Sequence, residues 1–220
     1  MSVWAVLVAA GRGERLGDDR PKAFARLGEL PLLAEPLRRL DESGWIDELV
    51  VVVPEGWEEP AILLAEELGA SKVSACVTGG ETRTASVRAG VAEIPDEADV
   101  ILVHDAARPL VTDDVIARVI GALAEGFDGA VPGLPVQDTV KRVERDVVVE
   151  TLARDSLVGV QTPQAFVASV LRACVESTEA STDCASLVER GGGRVRVVPG
   201  DERLLKVTTK ADLERVASWL

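Results

Sequence analysis

Charged side chains follow an apolar stretch of the chain at residues 104–108, where a strand would end. The segment "HDAARP" comes directly after "VILV" and contains His104, Asp105 and Arg108. A carboxylate at the end of a strand can hold Mg²⁺, because it is a hard oxygen ligand for a hard cation. The residues alone leave two other roles open for Asp105: capping the following helix, or pairing with Arg108. We interpret His104, the single histidine of the chain, as structural.

A second segment, "LVAAGRGERLGDDRPKAF", concentrates positive charge in an acidic protein. Small residues let backbone N–H groups approach an anion closely, and cations complete its neutralisation. The segment does not fit the dinucleotide pattern, which needs glycine where Leu16 stands, and no Lys-Ser or Lys-Thr pair follows. We predict a polyanion-binding loop, with a solvated basic loop as the alternative. Its small residues are Ala9, Ala10, Gly11 and Gly13, and its cations are Arg12, Arg15, Arg20 and Lys22.

Short apolar, valine-rich stretches alternate with segments of helical period along the chain. This alternation predicts an α/β fold: a Rossmann-like open, mostly parallel sheet with helices on both faces. Ligands bind beyond the carboxyl ends of the strands in such sheets, where both charged segments lie. Predicted strands occupy 3–9, 47–53, 72–77, 99–104, 129–134 and 193–198. Predicted helices occupy 31–42, 57–68, 82–93, 112–124, 163–177, 182–190 and 209–219.

The segment 136–157 interrupts this alternation. Its sequence, "VQDTVKRVERDVVVETLARDSL", alternates charge with valine and predicts two exposed strands joined near Glu144–Asp146. So many charges exclude it from a core, so it projects as an arm or forms a solvated edge hairpin. With no repeat or linker in the sequence, we predict a single domain over 1–220 that carries this arm.

Composition excludes several classes of function. The 220 residues carry a formal net charge of −13, which opposes binding to nucleic acid or to an anionic membrane. The apolar opening is too short to span a bilayer. Three cysteines without metal-type spacing indicate reduced thiols and a cytoplasmic protein. The chain has no tyrosine, and a short-chain dehydrogenase would need a catalytic one.

Taken together, seven segments of the chain resemble the 2-C-methyl-D-erythritol 4-phosphate cytidylyltransferases of the non-mevalonate isoprenoid pathway. These are nucleotidyltransferases that join a sugar phosphate to a nucleoside triphosphate. The resemblance covers nearly the whole chain, and the segments follow one another in the same order as in the family. The segments are "AAGRGERLG…RPKAF", "GGETRTASVRAG" (79–90), "HDAARPLV" (104–111), "DTVKR" (138–142), "QTPQAF" (161–166), "TDCASL" (182–187) and "LKVTT" (205–209).

The resemblance implies a reaction and a set of roles. A phosphate oxygen of methylerythritol phosphate attacks the α-phosphorus of CTP, and pyrophosphate leaves. That oxygen is already ionised at neutral pH, so positioning and charge stabilisation are the main requirements. Arg15 and Lys22 are implied to stabilise the transition state, and Asp105 to hold Mg²⁺. Residues implied to orient or contact the sugar phosphate are Arg108, Thr139, Arg154, Thr162, Thr182 and Lys206.

The resemblance also implies where the nucleotide and a second subunit bind. The first loop, with Ala9, Ala10, Gly11 and Gly13, would hold the phosphates of CTP. The cytosine would lie against Gly79, Gly80, Glu81 and Ser86, although this stretch also fits a turn followed by a helix capped by Thr82 or Glu81. The arm at 136–157 would cross to a partner and close its substrate site, which implies a homodimer.

The chain departs from the family pattern at three places. Val8 replaces a common proline, Cys184 stands where glutamate is usual, and "ERLLK" lacks the usual asparagine before Lys206. The nearest rival is a ribitol 5-phosphate cytidylyltransferase, whose relatives typically have "HDSVRP" where this chain has "HDAARP". A non-catalytic nucleotide-binding module is the third possibility. The presence of both Lys22 and Lys206 argues against it, because a protein that only binds a nucleotide has less need for both cations.

Overall fold

The computed structural model describes residues 1–11, 13, 20–176 and 181–220, so Arg12 and Arg15 lie outside the described residues. The strands are β1 (Val3–Val8), β2 (Arg26–Leu27), β3 (Leu30–Pro31), β4 (Glu48–Val53), β5 (Val73–Thr78), β6 (Val100–Asp105), β7 (Gly129–Pro135), β8 (Lys141–Glu144), β9 (Val147–Thr151), β10 (Val158–Val160), β11 (Gln164–Val167) and β12 (Val195–Pro199). The helices are α1 (Ala34–Glu42), α2 (Glu58–Leu68), α3 (Arg83–Ala92), α4 (Asp113–Ala124), α5 (Ala168–Val175), α6 (Ala185–Arg190) and α7 (Lys210–Ala217).

An open, mostly parallel sheet forms the centre of the fold, which confirms the predicted class. Its strands run in the order β10-β7-β11-β6-β1-β4-β5, and β12 pairs with β7. β1 is parallel to both β6 and β4, and β5 is parallel to β4. All six predicted strands are present with ends shifted by at most two residues. Because β1, β6, β4 and β5 are parallel, their carboxyl ends meet at one edge of the sheet.

Helices cover both faces of this sheet because the central strands are apolar on both sides. Ala5 and Leu7 of β1 pack with α1, α2 and α4 on one face. Val6, between them, packs with α3, α5 and α6 on the other face. The terminal helix α7 belongs to a smaller cluster with Leu32 and Leu110. Among the described residues, no helix is long and apolar enough to cross a membrane.

The prediction of a continuous helix over 163–177 was wrong at its beginning. Residues 164–167 form β11, which lies antiparallel to β6 and β7, and the helix begins at Ala168. Ala165 and Phe166 point to opposite faces of this short strand and are both fully buried, so both faces are covered. No glycine or proline separates the strand from the helix, which is why the sequence pattern concealed the change.

The arm is an exposed β-hairpin, as predicted. β8 and β9 pair only with each other as a separate two-stranded sheet, and every residue of both strands is exposed. Arg145 and Asp146 form the turn with φ values of 44° and 66°, the left-handed conformation of a tight hairpin turn. Leu152 N–H donates to Val140 O at 3.0 Å, which closes the base of the hairpin.

Candidate active site

A cavity of about 840 Å³ lies at the carboxyl edge of β1, β5 and β6. The loops that follow β1, β4, β5 and β6 line it, together with Lys22 and Lys206 from elsewhere in the chain. Ligands bind at this edge in open α/β sheets, so the cavity lies where the fold predicts a site. It brings together ten of the sequence-predicted site residues: Ala9, Ala10, Gly11, Lys22, Gly79, Gly80, Glu81, Ser86, Asp105 and Lys206.

The loop between β5 and α3 packs tightly against the loop after β1. A Cβ on Gly79 would collide with the Cβ of Ala10 and with the Ser86 hydroxyl. Thr82 is the N-cap of α3, since its hydroxyl accepts from Ala85 N at 3.1 Å. The capping role left open for this stretch is therefore confirmed for Thr82. Ala9, Ala10, Gly11, Gly79 and Gly80 line the cavity with backbone and at most a methyl group, a surface that a planar base or a phosphate can approach closely.

Gly13 and Lys22 meet at the other side of the first loop. Gly13 has a φ of 72°, and a Cβ there would collide with the Cβ of Lys22. Glycine is required both for this left-handed conformation and for the close approach. The contact helps to fix the backbone of Lys22, whose side chain lines the cavity.

Asp105, the last residue of β6, is shared between two cations. Its Oδ1 accepts from Nε and Nη2 of Arg83 at 3.1 and 3.0 Å, and its Oδ2 accepts from Nζ of Lys206 at 2.7 Å. Burial alone would raise the pKa of this carboxyl, but the charges of Arg83 and Lys206 outweigh it and hold the pKa well below its usual range. Asp105 is thus ionised and pairs with these two cations instead of Arg108. It caps no helix, since α4 begins at Asp113 after Thr112.

Arg83 is the site residue that the sequence analysis missed. It begins α3, lines the cavity, and also directs Nη1 to Sγ of the fully buried Cys184 at 3.3 Å. Burial would lower the pKa of its guanidinium, but Asp105 and the Cys184 contact raise it. An arginine directly after a glycine-rich turn at the same edge as Asp105 was the available signal. A second signal was Cys184, which stands where the family usually has glutamate, because its thiol contacts this arginine.

His104 is linked to the backbone of Asp105 through the hydroxyl of Thr162. Asp105 N–H donates to Thr162 Oγ1 at 3.1 Å, and that hydroxyl lies 3.1 Å from Nδ1 of His104. Nε2 of His104 lies 2.9 Å from the carbonyl of Arg108, which can only accept, so we assign the imidazole proton to Nε2. Burial lowers the pKa of His104 to about 4, so the ring is neutral. The chain Arg108–His104–Thr162 fixes the end of β6.

Two hydrogen bonds to backbone carbonyls hold the segment around Lys206 in place. Arg108 Nη1 donates to Leu204 O at 2.6 Å, and Val207 N–H donates to Ala107 O at 2.8 Å. The residues on both sides of Lys206 are therefore tied to the loop that follows Asp105. These contacts explain how a lysine 101 residues further along the chain reaches this carboxylate.

The other predicted site residues that the structure describes lie outside the lining of this cavity. Arg108 also directs Nη2 to Val160 O at 3.3 Å, so both of its terminal nitrogens contact backbone carbonyls. Thr162 is buried behind Asp105. Arg154 and Thr139 are exposed on the arm side, where Arg154 Nη1 donates to Gln137 O, and Thr182 is exposed before α6. Their proposed contacts with the sugar phosphate stay predictions.

The whole chain matches one known family. The sequence profile of IspD, 2-C-methyl-D-erythritol 4-phosphate cytidylyltransferase, matches residues 3–220. The chain belongs to this family. It is 46% identical to the 2-C-methyl-D-erythritol 4-phosphate cytidylyltransferase of Nocardia farcinica over 220 residues, which cover 100% of this chain and 94% of that protein. The resemblance inferred from the seven segments is confirmed, and the chain is a nucleotidyltransferase of the cytidylyltransferase class.

Solved structures agree with this assignment. The 2-C-methyl-D-erythritol 4-phosphate cytidylyltransferase of Thermus thermophilus is similar with a TM-score of 0.79 and 32% identity, over 97% of this chain and 96% of that one. The 4-diphosphocytidyl-2C-methyl-D-erythritol synthase of Anaerococcus prevotii is similar with a TM-score of 0.86 and 26% identity, over 99% of this chain and 95% of that one. The similarity therefore includes the sheet edge that carries the cavity.

Proposed function

We propose that this protein transfers the cytidylyl group of CTP to 2-C-methyl-D-erythritol 4-phosphate, giving 4-diphosphocytidyl-2-C-methyl-D-erythritol and pyrophosphate. The observation that carries the proposal is that Lys22, Asp105 and Lys206 line one cavity in a chain of this family. Ribitol 5-phosphate is not favoured, because the family profile covers residues 3–220 and the chain reads "HDAARP".

The residues of the cavity suit a displacement at phosphorus. The attacking phosphate oxygen is already ionised, and the single histidine is neutral and turned toward Thr162 rather than the cavity. Lys22 and Lys206 supply positive charge where negative charge develops on the α-phosphate, and Arg15 is proposed to add to it. Such preorganised cations lower a barrier by about 3–4 kcal/mol each.

The nucleotide is proposed to bind across the two tightly packed loops. Ala9, Ala10, Gly11 and Gly13 would face the phosphates, while Gly79, Gly80, Glu81 and Ser86 would face cytosine. The collision between a Cβ on Gly79 and the Cβ of Ala10 supports this arrangement, because the two loops pack so closely that Gly79 offers only backbone there. Backbone N–H and carbonyl groups can read the edge of a base without a large side chain.

Asp105 is proposed to hold Mg²⁺ together with phosphate oxygens of CTP. The residues fit this ion: Asp105 is an ionised carboxylate in the lining of the cavity, its Oδ2 accepts a hydrogen bond from Lys206, and Mg²⁺ usually takes one or two carboxylates plus substrate phosphates. Within the described ranges no three acidic, cysteine or histidine residues form a metal cluster, so an all-protein cage is not the arrangement proposed. When bound, the ion would neutralise phosphate charge.

The arm is proposed to complete the substrate site of a second copy in a homodimer. Val143, Val147, Val148 and Val149 are 49–64% exposed on β8 and β9, an unusual concentration of apolar side chains on an isolated hairpin. Thr139 and Arg154 at its base would contact the partner's sugar phosphate, with Arg108, Thr162 and Thr182 contributing from the body. The single domain over 1–220 and the cytoplasmic location remain predictions.

One assay tests the reaction directly. The purified protein is incubated with CTP, Mg²⁺ and methylerythritol phosphate, and pyrophosphate release is followed beside an identical reaction with ribitol 5-phosphate. We expect release with the first acceptor and at least about a hundredfold less with the second, since an acceptor that leaves charged groups unpaired is rejected by such factors. Equal rates, or release with ribitol phosphate only, would contradict the proposal.

A further inference from the structure

The two carboxylate oxygens of Asp105 accept hydrogen bonds from different cations. Oδ1 accepts two hydrogen bonds from Arg83, at 3.1 Å from Nε and 3.0 Å from Nη2, and these use both of its lone pairs. Oδ2 accepts from Lys206 Nζ at 2.7 Å. A divalent cation that binds Asp105 must therefore use Oδ2, the oxygen that carries the ammonium group.

The two cations differ in how firmly they are held. The side chain of Arg83 is 19% exposed, contacts Asp105 through two nitrogens and is held by Cys184 through the third. The side chain of Lys206 is 42% exposed and contacts Asp105 through one hydrogen bond. Moving Lys206 costs one bond to a group that solvent can reach, whereas moving Arg83 would break three contacts of a largely buried guanidinium.

From these contacts we infer that Lys206 and a divalent cation exchange at Oδ2 of Asp105, while Arg83 acts as a positioning residue that holds the carboxylate through Oδ1. An ammonium and a divalent ion on one oxygen would repel each other strongly in a partly buried site. Lys206 therefore leaves Asp105 when the ion arrives with CTP. This inference rests on the proposed function, in which CTP binds together with a divalent ion at Asp105.

The displaced ammonium stays inside the cavity. The contacts of Leu204 with Arg108 and of Val207 with Ala107 fix the backbone on both sides of Lys206, so only the side chain can turn. The other anionic groups within the cavity would then be the phosphate oxygens of the substrates and the side chains of Glu55 and Glu81. The exchange would make the catalytic position of Lys206 depend on the divalent ion, and a metal-free nucleotide would find the lysine still bound to Asp105.

Ammonium resonances of isotope-labelled lysine test the exchange, since the chain has only five lysines: Lys22, Lys72, Lys141, Lys206 and Lys210. We expect a protected Lys206 signal in the free protein, assigned by its loss in Lys206→Gln. CTP with EDTA should leave this signal in place, and CTP with Mg²⁺ should move it. Lys72, whose Nζ donates to Ser43 O at 2.6 Å away from the cavity, is the internal control. The exchange would be overturned if the Lys206 signal did not shift with CTP and Mg²⁺, or if CTP with EDTA shifted it by the same amount.

Binding of Mn²⁺ alone, followed by electron paramagnetic resonance, gives a second measurement. Lys206→Gln should bind Mn²⁺ about tenfold more tightly than the unaltered protein, because a charge-assisted hydrogen bond no longer competes for Oδ2. Lys22→Gln is the matched control, because it also removes one positive charge from the cavity but leaves the hydrogen bonds of Arg83 and Lys206 to Asp105 in place. We expect it to change the Mn²⁺ affinity about twofold or less. Equal affinities of Lys206→Gln and the unaltered protein would refute the exchange.

The two proposals fail in different ways. A protein that releases pyrophosphate from CTP and methylerythritol phosphate, but keeps Lys206 on Asp105 with Mg²⁺ and CTP bound, has the proposed function without the exchange. A protein that releases no pyrophosphate lacks the proposed function, whatever the lysine resonances show.

Discussion

The cavity and the arm of this protein differ in how their charged groups are held. At the cavity, Asp105 is anchored by two cations and its neighbours by a hydrogen-bonded chain through Thr162 and His104. On the arm, β8 and β9 bond only to each other and all their residues are exposed. One half of the proposed site is thus preorganised within the chain, whereas the other half, the arm, is exposed and is only proposed to meet a second copy.

The largest effects are expected where the preorganised half meets the substrates. Lys206→Ala should lower turnover by about a hundredfold to a thousandfold, because a cation aimed at developing charge is lost, while CTP still binds. Asp105→Asn should weaken Mg²⁺-dependent turnover to a similar degree. Pyrophosphate release and CTP calorimetry measure the two effects. Near-normal turnover of Asp105→Asn would remove it from the site, and loss of CTP binding in Lys206→Ala would reassign the lysine.

Deleting the arm tests the other half. Residues 141–151 can be replaced by two glycines, because Val140 and Leu152 already lie side by side through a 3.0 Å hydrogen bond. We expect the melting temperature to change little, since the hairpin adds no buried residue to the core. Turnover should fall about a hundredfold or more, because proximity of arm residues to the partner's substrate is lost.

Sedimentation at micromolar protein decides how that deletion acts. The full chain should sediment as a dimer and the deletion variant as a monomer. Arg154→Ala is the matched control, since it should keep the dimer and raise only the KM for methylerythritol phosphate. A deletion variant that remains dimeric and active would show that the arm has no part in the site.

Much of this organisation could be predicted from the sequence, and the missing parts have physical reasons. Valine-rich stretches followed by loops with glycine and charge predicted the sheet and its ligand-binding edge, because strand ends in parallel sheets meet there. β11 was missed since its four residues run into α5 without a turn, and only pairing with β6 and β7 reveals it. The ion pair of Arg83 with Asp105 was missed because it depends on how α3 packs, and an arginine after a glycine-rich turn does not by itself reveal that contact.

The hydrogen-bonded chain behind Asp105 should make the protein sensitive to acid. The folded pKa of His104, about 4, lies below its ordinary value of 6.5, so the unfolded chain binds the proton first. The stability contributed by neutral His104 is complete above pH 6.5 and is lost as the pH falls toward 4. Between pH 7.5 and 5 this loss is about 2 kcal/mol. Asp105, with its lowered pKa, adds a further loss only below the ordinary range of a carboxyl.

Urea unfolding at the two pH values measures this effect, and His104→Gln is the matched variant. Glutamine can keep one hydrogen bond to the Arg108 carbonyl but cannot be protonated, so its loss of stability between pH 7.5 and 5 should be about 2 kcal/mol smaller than that of the unaltered protein. Parallel losses in both proteins would show that His104 does not set the acid sensitivity.

Arg83→Lys should have a smaller effect on turnover. Lysine keeps the positive charge near Asp105 but lacks the planar guanidinium that directs two hydrogen bonds to Oδ1, so the carboxylate loses its fixed orientation. We expect kcat to fall about tenfold and the Mg²⁺ concentration for half-maximal rate to rise, with the KM for CTP nearly unchanged. A variant that folds normally and shows an unaltered Mg²⁺ dependence would leave Arg83 without a positioning role.

Cys184→Ala should have the smallest effect and separates the two supports of Arg83. Burial raises the pKa of the Cys184 thiol, so Arg83 donates to a neutral sulfur, a weak acceptor, at 3.3 Å. With both hydrogen bonds to Asp105 intact, turnover should fall by less than about threefold, and the Mg²⁺ dependence should stay that of the unaltered protein. A loss as large as that of Arg83→Lys would mean that the guanidinium is oriented by the sulfur and not by Asp105. In that case cysteine in place of the family's usual glutamate at this position would itself alter the preorganised half of the site, where Mg²⁺ is proposed to bind.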